Sequence, residues 1–280
     1  MRKLGALFAG VVLLLTGSVM PRAAAVSTVK QNNSDYSLNW SGYAVPAKAR
    51  EQITAVSGSW IVPTIRNAPP GYSSSWVGIG GYGTEDLIQA GTSASGHLEQ
   101  DYAWFEVLPN SSVNLMNCQG DPDCTVSQGD RVATSVTNIG GNQWVVAMSD
   151  YGQGATPRWS WMTAVTYASS FSSAEWVFEA PSIGPPPVGP VGVGAPVQTI
   201  PAHAEQARFL GGNAYRVNGV NRQLYYPDAV QMIMIDPASF VAASFVGLPP
   251  RLGQRTATPS WLGRDGRFAV CAYKRSCPLF

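Results

Sequence analysis

Histidine and the common hydrolase motifs are nearly absent from this sequence. His97 and His203 are the only histidines in 280 residues, whereas a nucleophilic triad needs a base beside its nucleophile. Neither a G-x-S-x-G elbow nor an H-E-x-x-H zinc motif occurs. The segment GTSASG at 91–96 resembles the elbow but lacks its second glycine in register. A hydrolase built from this chain would therefore have to use carboxylates and amides.

Long apolar runs are missing after the first 25 residues. A basic start, the apolar run at 4–20 and three alanines at 23–25 are typical of a secretory signal peptide. A membrane anchor is disfavoured because the run contains several glycines and is short for a span of about 20 residues. We expect a signal peptide at 1–25, a flexible segment at 26–38, and a secreted (extracellular) protein that no longer contacts a membrane.

Charge is also scarce, at 12% of the residues. The 18 basic and 17 acidic residues nearly cancel, and 15 basic residues remain when Arg2, Lys3 and Arg22 are removed with the signal peptide. This balance lacks the basic excess that is typical of nucleic-acid partners. We expect no nucleic-acid partner.

Cysteine occurs four times, as Cys118, Cys124, Cys271 and Cys277. An even number in an exported chain indicates disulfides. Three connectivities are possible, and two local pairs are favoured because each closes a short loop. Zinc ligation would need C-x-x-C spacing or nearby histidines, so we expect no metal and no cofactor.

Helical periodicity and internal repeats are missing, and strand patterns take their place. Short runs rich in Val, Tyr, Trp, Thr and Phe are separated by Gly, Pro, Asn and Ser. The runs RVATSVTN and QWVVAMSD flank IGGN at 139–142, which predicts a hairpin. The expected class is all-β: an antiparallel two-sheet β-sandwich of concanavalin-like or jelly-roll type, forming one domain at 39–280.

A stretch of low complexity, IGPPPVGPVGVGAPV at 183–197, is too rich in Pro and Gly for a ladder strand. It predicts a surface loop. The alternative is a linker that divides the chain near residue 190, but the C-terminal piece is short and irregular for a sandwich of its own.

Acidic side chains stand out in the segment SAEWVFEAPS at 173–182. Strand alternation places Glu175, Val177 and Glu179 on one face. Two acids on an apolar strand are costly to bury without partners, which indicates a functional site. A face that is simply solvated, as in many antiparallel sheets, explains the pattern equally well.

Two other segments carry polar groups among apolar neighbours. In TEDLIQAGT, Gln89 follows two aliphatic residues, where its amide is either a donor in a cleft or a structural strand-end residue. In DYAWFEVLP, alternation places Tyr102, Trp104 and Glu106 on one face, which suits a substrate groove or a half-exposed sheet surface.

Six motifs in order resemble the glutamic peptidases, also called eqolisins. They are NWSGYAV at 39–45, SGSWIVP at 57–63, SSWVGIGG at 74–81, LIQAGT at 87–92, YAWFEVLP at 102–109 and AEWVFEAPS at 174–182. The resemblance implies two packed antiparallel sheets with a substrate cleft and a catalytic dyad of Gln89 and Glu179. It also implies that Trp76, Trp104 and Glu106 lie near the cleft. We expect these three residues and Tyr102 to bind the substrate.

The sequence departs from the family pattern at three points. Gly80 stands where family members commonly have Asp, so a supporting carboxylate is missing or supplied elsewhere. Tyr102 stands at a position that is often acidic. Many relatives carry a longer prosegment, whereas here only about a dozen residues separate the expected cleavage site from NWSGYAV. Autoprocessing of a zymogen is therefore not evident.

The resemblance implies an endopeptidase whose substrates are polypeptides, which we expect to be a monomer working at acidic pH. Ionised Glu179 would activate water, and the Gln89 amide would stabilise the oxyanion without a covalent intermediate. Two alternatives remain open. One is a glycoside hydrolase with Glu106 and Glu179 as paired carboxylates, and the other is a non-enzymatic, lectin-like module.

Overall fold

The computed structural model of the chain describes residues 33–66, 71–95, 101–183, 197–198, 201, 203–204, 206–236 and 254–280. The expected signal peptide, His97 and most of the Pro- and Gly-rich stretch lie outside these ranges. Within the ranges all regular structure is β, and none of it is a helix that could cross a membrane.

Twenty-one strands occur in the described ranges. They are β1 (Ser34–Ser37), β2 (Trp40–Pro46), β3 (Ile53–Ile61), β4 (Ile65–Arg66), β5 (Tyr72–Gly80), β6 (Leu87–Ser95), β7 (Tyr102–Val107), β8 (Val113–Asn114), β9 (Arg131–Gly140), β10 (Gln143–Asp150), β11 (Trp159–Thr166), β12 (Ser173–Glu179), β13 (Ser182–Ile183), β14 (Val197–Gln198), β15 (His203–Ala204), β16 (Ala207–Phe209), β17 (Ala214–Val217), β18 (Val220–Gln223), β19 (Val230–Ile235), β20 (Arg255–Pro259) and β21 (Phe268–Ala272).

Most of the strands belong to two sheets. The first sheet has the order β8–β7–β6–β5–β12–β2–β19–β1. The second has the order β11–β10–β9–β3, and β16 and β17 continue it along the other edge of β3, followed by β21–β20 and by β18. Their pairings are antiparallel except for β1 with β19. Because β20 also pairs with β19, the sheets join at one corner. The predicted antiparallel β-sandwich is confirmed.

The hairpin of β9 and β10 shows how alternation builds the core. Val132 and Val136 in β9 and Trp144 and Val146 in β10 are buried, whereas their immediate neighbours Ala133, Ser135 and Val145 are partly exposed. One face of the hairpin therefore packs inward and the other meets solvent, as period-2 alternation requires. The two strands pair along their length, which confirms the predicted hairpin.

The strand β12 differs because both of its faces are buried. Trp176 and Phe178 point into the core between the sheets, where large aromatic side chains supply much of the buried apolar area. Val177 on the opposite face belongs to a second, smaller apolar cluster. Since β2 pairs with one edge of β12 and β5 with the other, the strand is fixed on all sides and positions its last residue, Glu179.

The two disulfides are the local pairs predicted from the spacing. Cys118 is bonded to Cys124 in the segment after β8, and Cys271 in β21 is bonded to Cys277 near the C-terminus. Each bond closes a short loop, which restrains the segment mainly by limiting the unfolded chain.

Candidate active site

Strand register brings the predicted site residues onto one face of the first sheet. Gln89 in β6 lies opposite Glu106 in β7 and Gly78 in β5. Glu179 lies opposite Ser74 of the same β5. Directly opposed residues of an antiparallel pair share a face, so all five residues face the same side.

This face forms the floor of a cleft of about 540 Å³. Gln89, Glu106 and Glu179 all line it. Six of the other lining residues have large aromatic or aliphatic side chains: Trp40, Tyr72, Leu87, Tyr102, Trp104 and Leu108. The cleft thus combines apolar walls with a few convergent polar groups, as binding sites commonly do.

The carboxyl group of Glu179 accepts hydrogen bonds from neighbouring side chains. Asn39 Nδ2 donates to Oε1 at 3.0 Å, and Trp76 Nε1 donates to Oε2 at 2.6 Å. Trp76 is 0% exposed and packs edge-on against Trp40, with ring centroids 4.9 Å apart. Trp76 therefore lies beneath Glu179, outside the residues that line the cleft.

The environment shifts the proton affinity of Glu179. Burial raises the pKa of Glu179 to about 7, and repulsion from Glu106 adds to this effect. Hydrogen bonds from Trp76, Trp40 and Asn39 oppose the rise. A carboxyl group with such a pKa can exchange protons with water and with an amine, because both of its forms are accessible near neutral pH.

Gln89 is 4% exposed and is oriented by a carboxyl group. Its Nε2 donates to Glu106 Oε2 at 2.6 Å, whereas its buried Oε1 has no hydrogen-bond partner in the described part of the chain. Burial raises the pKa of Glu106, against the effects of Gln89 and the Ser112 backbone amide. An amide nitrogen carries two N–H groups, so one remains to donate to a group in the cleft.

Gly91 allows the strands beneath the cleft to approach closely. It lies between Trp76 and Trp104 in the register. A Cβ atom at this position would stand 2.4 Å from the Ser75 carbonyl oxygen and 2.5 Å from the Trp76 Cβ. Any side chain at 91 would therefore displace Trp76, which holds Glu179.

Asp86 occupies the space where a side chain at position 80 would point. Gly80 has φ +86°, and a Cβ there would stand 2.8 Å from Asp86 Oδ2. Burial alone would raise the pKa of Asp86, but hydrogen bonds from Ser170, Thr84 and Ser169 lower it overall. The family pattern predicts a carboxylate at position 80, and in this chain the Asp86 carboxylate lies beside that position.

Glu175 shares a strand face with Glu179 but does not line the cleft. It is 0% exposed, and neither carboxyl oxygen makes a hydrogen bond of ordinary geometry in the described residues. Burial raises the pKa of Glu175 well above the usual value and Asp86 adds to this, whereas the Ser173 hydroxyl and the Tyr82 amide oppose it. The two acids of the strand therefore sit in different environments.

Glu175→Gln is expected to stabilise the protein at neutral pH with little effect near pH 4. Because the folded pKa is raised, stability is full below about pH 4.5, where unfolded glutamate is protonated, and is lost as the pH rises toward the folded pKa. The slope reaches about 1.4 kcal/mol per pH unit. Urea unfolding of both proteins at pH 4, 5.5 and 7 measures it. A gap in unfolding free energy that stays constant with pH would contradict the assignment.

Sequence reasoning did not identify Asn39 as a partner of Glu179. Asn39 is part of the quoted NWSGYAV motif, and the pairing of Trp40 with Glu179 brings it to the site. The partners are 140 residues apart in the chain, so only the motif order signalled the contact. His203 lies in β15, which pairs with β4.

Comparison with known proteins assigns the family. A model of the peptidase A4 family matches residues 38–194, more than half of the chain and including Gln89 and Glu179. The chain belongs to the peptidase A4 family. It is therefore a glutamic-type endopeptidase, a hydrolase that acts on polypeptides, and the resemblance read from the motifs is confirmed.

Solved glutamic peptidases have a similar fold. Scytalido-glutamic peptidase, solved with a peptide-based transition-state analogue, is 18% identical, with a TM-score of 0.61, and the match covers 84% of this chain and 98% of that one. SCP-B, an eqolisin solved with the tripeptide Ala-Ile-His, is also 18% identical, with a TM-score of 0.58 and the same coverage. At this identity the likeness establishes the fold of the peptidase. No curated protein matches the chain.

Proposed function

We propose that this peptidase hydrolyses peptide bonds with Glu179 as general base and acid and Gln89 as the oxyanion donor. The observation that carries the proposal is that Glu179, with a pKa of about 7, and the Gln89 amide line one cleft. The carboxyl group can move protons, and the amide can donate a hydrogen bond without titrating.

The reaction needs one water molecule and no covalent intermediate. Ionised Glu179 takes a proton from the water, and the water oxygen bonds to the scissile carbonyl carbon. The carbonyl oxygen receives the π electron pair and becomes an oxyanion, which a Gln89 N–H stabilises. The carbonyl re-forms as the C–N bond breaks, and Glu179 returns the proton to the amine nitrogen.

The neighbouring residues act on the dyad or on the substrate. Trp76 is a positioning residue that holds Glu179, and Glu106 is a positioning residue that holds Gln89. Tyr102 and Trp104 line the cleft, where their rings would contact the polypeptide. Of the four residues that the sequence assigned to substrate binding, we propose that Tyr102 and Trp104 contact the substrate directly, whereas Trp76 and Glu106 position the dyad.

The working pH is proposed to be mildly acidic. General-base action needs ionised Glu179, so its raised pKa reduces activity at strongly acidic pH, about tenfold for each unit below the pKa. Toward neutral pH, ionisation of the buried Glu175 weakens the fold. Activity should therefore fall both at strongly acidic pH and toward neutral pH. The proposed working range is narrower than the acidic range expected from the family.

The proposed setting is extracellular. The N-terminal pattern of a signal peptide and the two disulfides both support export to an oxidising environment. We propose that the exported chain acts as a monomer, because one chain supplies both members of the dyad and the cleft that they line.

Glu106→Gln tests this assignment of roles. The variant should keep hydrolysing peptides, losing less than the roughly 100-fold expected for a general acid or base. Repulsion from Glu106 is one cause of the raised pKa of Glu179. Removing that charge should lower the pKa, so the acidic side of the pH–activity profile should move to lower pH. The measurement is kcat/KM for a peptide between pH 3 and 8, with the exposed Glu85→Gln as a control of equal charge change.

Two results would count against the proposal. Complete loss of hydrolysis in Glu106→Gln, with its fold intact by circular dichroism, would favour a mechanism with two essential acids. Wild-type hydrolysis of a polysaccharide but not of a denatured protein would favour the paired-carboxylate glycosidase.

A further inference from the structure

In the same row across the sheet as Glu179, the cleft floor consists of two serines. Ser74 lies directly opposite both Glu179 and Ser93. The two serine hydroxyl oxygens are 2.7 Å apart and hydrogen-bonded to each other. In the next row toward Gln89, the same strands carry Trp76 and Gly91. Small side chains at 74 and 93 therefore lower the floor beside the catalytic carboxyl group.

Aromatic rings surround this low point. Tyr102 lies opposite Ser93 and is 39% exposed. Trp104 follows two residues later on the same face, and Tyr72 precedes Ser74 by two residues. Two residues of a strand span about 6.6 Å, so the rows of Tyr72 and Trp104 stand on either side of the serine row. All of these residues line the cleft.

The chemistry of the depression favours an uncharged ligand group. No Lys, Arg or His is among the described residues that line the cleft, so an acidic side chain would find no counter-ion. Glu179, at the edge of the depression, is already bound by Trp76 and Asn39. The two hydroxyls of the floor share one hydrogen bond with each other. A flat side chain gains most here, because aromatic pairs are attractive beyond the area that they bury.

We propose that the depression over Ser74 and Ser93 is a specificity subsite for an aromatic side chain of the substrate. Neighbouring strands lie about 4.8 Å apart, so a side chain over Ser74 belongs to a residue adjoining the bond that Glu179 attacks. This assignment rests on the proposed function of Glu179. Tyr72 and Tyr102 are the walls of the subsite, and Ser93 sets its depth.

The first test is a map of the cleavage sites in a denatured protein by mass spectrometry. Wild type should show Phe or Tyr enriched at one fixed position beside the cleaved bond. Two peptides that differ only in Phe or Ala at that position then give a ratio of kcat/KM values. A single methylene in an apolar pocket changes such a ratio by about 10- to 200-fold, so the Phe peptide should lead by at least about tenfold.

Two variants then remove the pocket. Ser93→Leu fills the floor and should lower kcat/KM for the Phe peptide by at least about tenfold while sparing the Ala peptide. Tyr102→Ala removes an exposed wall with little risk to folding and should also lower the ratio. Ser135→Leu, on the partly exposed face of β9, is the matched control and should leave the ratio unchanged.

The outcomes separate the subsite from the reaction. Peptide cleavage without an aromatic preference, or a ratio unaffected by Tyr102→Ala and by folded Ser93→Leu, would overturn the subsite and leave the catalytic proposal intact. Failure of wild type to cleave any peptide would overturn both. Loss of both peptides in equal proportion in folded Ser93→Leu would assign the serines to catalysis instead of specificity.

Discussion

Glu179→Gln is expected to lower kcat for peptide hydrolysis by at least roughly 100-fold. The amide has nearly the shape of the carboxyl group but cannot take a proton from water. Its oxygen can still accept from Trp76 or Asn39, the donors that hold the carboxylate. The measurement is kcat near pH 6 on a peptide that wild type cleaves, together with a thermal melt.

Glu175→Gln is the matched control for this experiment. It makes the same substitution four residues earlier on the same strand face, in a side chain that does not reach the cleft. We expect Glu175→Gln to retain wild-type kcat near pH 6. A Glu179→Gln enzyme within tenfold of wild type would remove Glu179 from the proton transfers.

Gln89→Ala is expected to lower kcat by roughly 100- to 1,000-fold, the usual effect of losing one oxyanion donor. The loss should appear in kcat more than in KM, because the hydrogen bond strengthens only as charge develops on the oxygen. Steady-state kinetics at several peptide concentrations separate the two constants. Gln89→Met is a useful second variant, since it fills the buried site without an N–H group.

Gln143→Ala serves as the control for an amide lost from a strand. Gln143 is exposed in β10, where its amide donates to Thr166. Activity should be unchanged in that variant. A raised KM with normal kcat in Gln89→Ala would contradict the oxyanion role and would indicate ordinary substrate binding.

The sequence predicts the fold well because the signals involved are local. Alternation in 131–150 gives the hairpin, and a spacing of six residues gives each disulfide. The shared face of Glu175 and Glu179 follows from strand periodicity alone. These features depend on neighbours within one or two strands, so no long-range information was needed.

The environment of each acid was not predictable from the same pattern. Alternation treats Glu175 and Glu179 alike, yet one is sealed away and the other reaches the cleft. The difference arises from how β2 and β5 flank β12. This is long-range information, because Trp76 of β5 and Glu179 of β12 are 103 residues apart in the chain. The sequence likewise placed Trp76 near the cleft but could not show that the ring lies beneath it.

The supporting carboxylate illustrates the same limit. Gly80 in the sequence suggested that the supporting carboxylate of the family is either lost or supplied by another residue. Only the folded chain shows that the Asp86 carboxylate lies where a side chain at position 80 would point. Gly80 ends β5 and Asp86 precedes β6, and φ +86° at Gly80 sets the path of the chain into the turn between the two strands. A left-handed conformation of this kind depends on the whole turn, beyond what a motif match can specify.

The placement of β12 and β7 in the first sheet has a consequence for local opening. All seven residues of β12 pair with β2 and six pair with β5, whereas the outer edge of β7 pairs with the two-residue β8 and, through a single bridge from Tyr102, with Thr125. Amide hydrogens of β12 should therefore exchange only on global unfolding, while those of β7 exchange through smaller openings. Glu179, the proposed general base, thus stands on a strand that is paired along both edges, and we expect adjustment to different polypeptides to occur on the side of the cleft formed by β7.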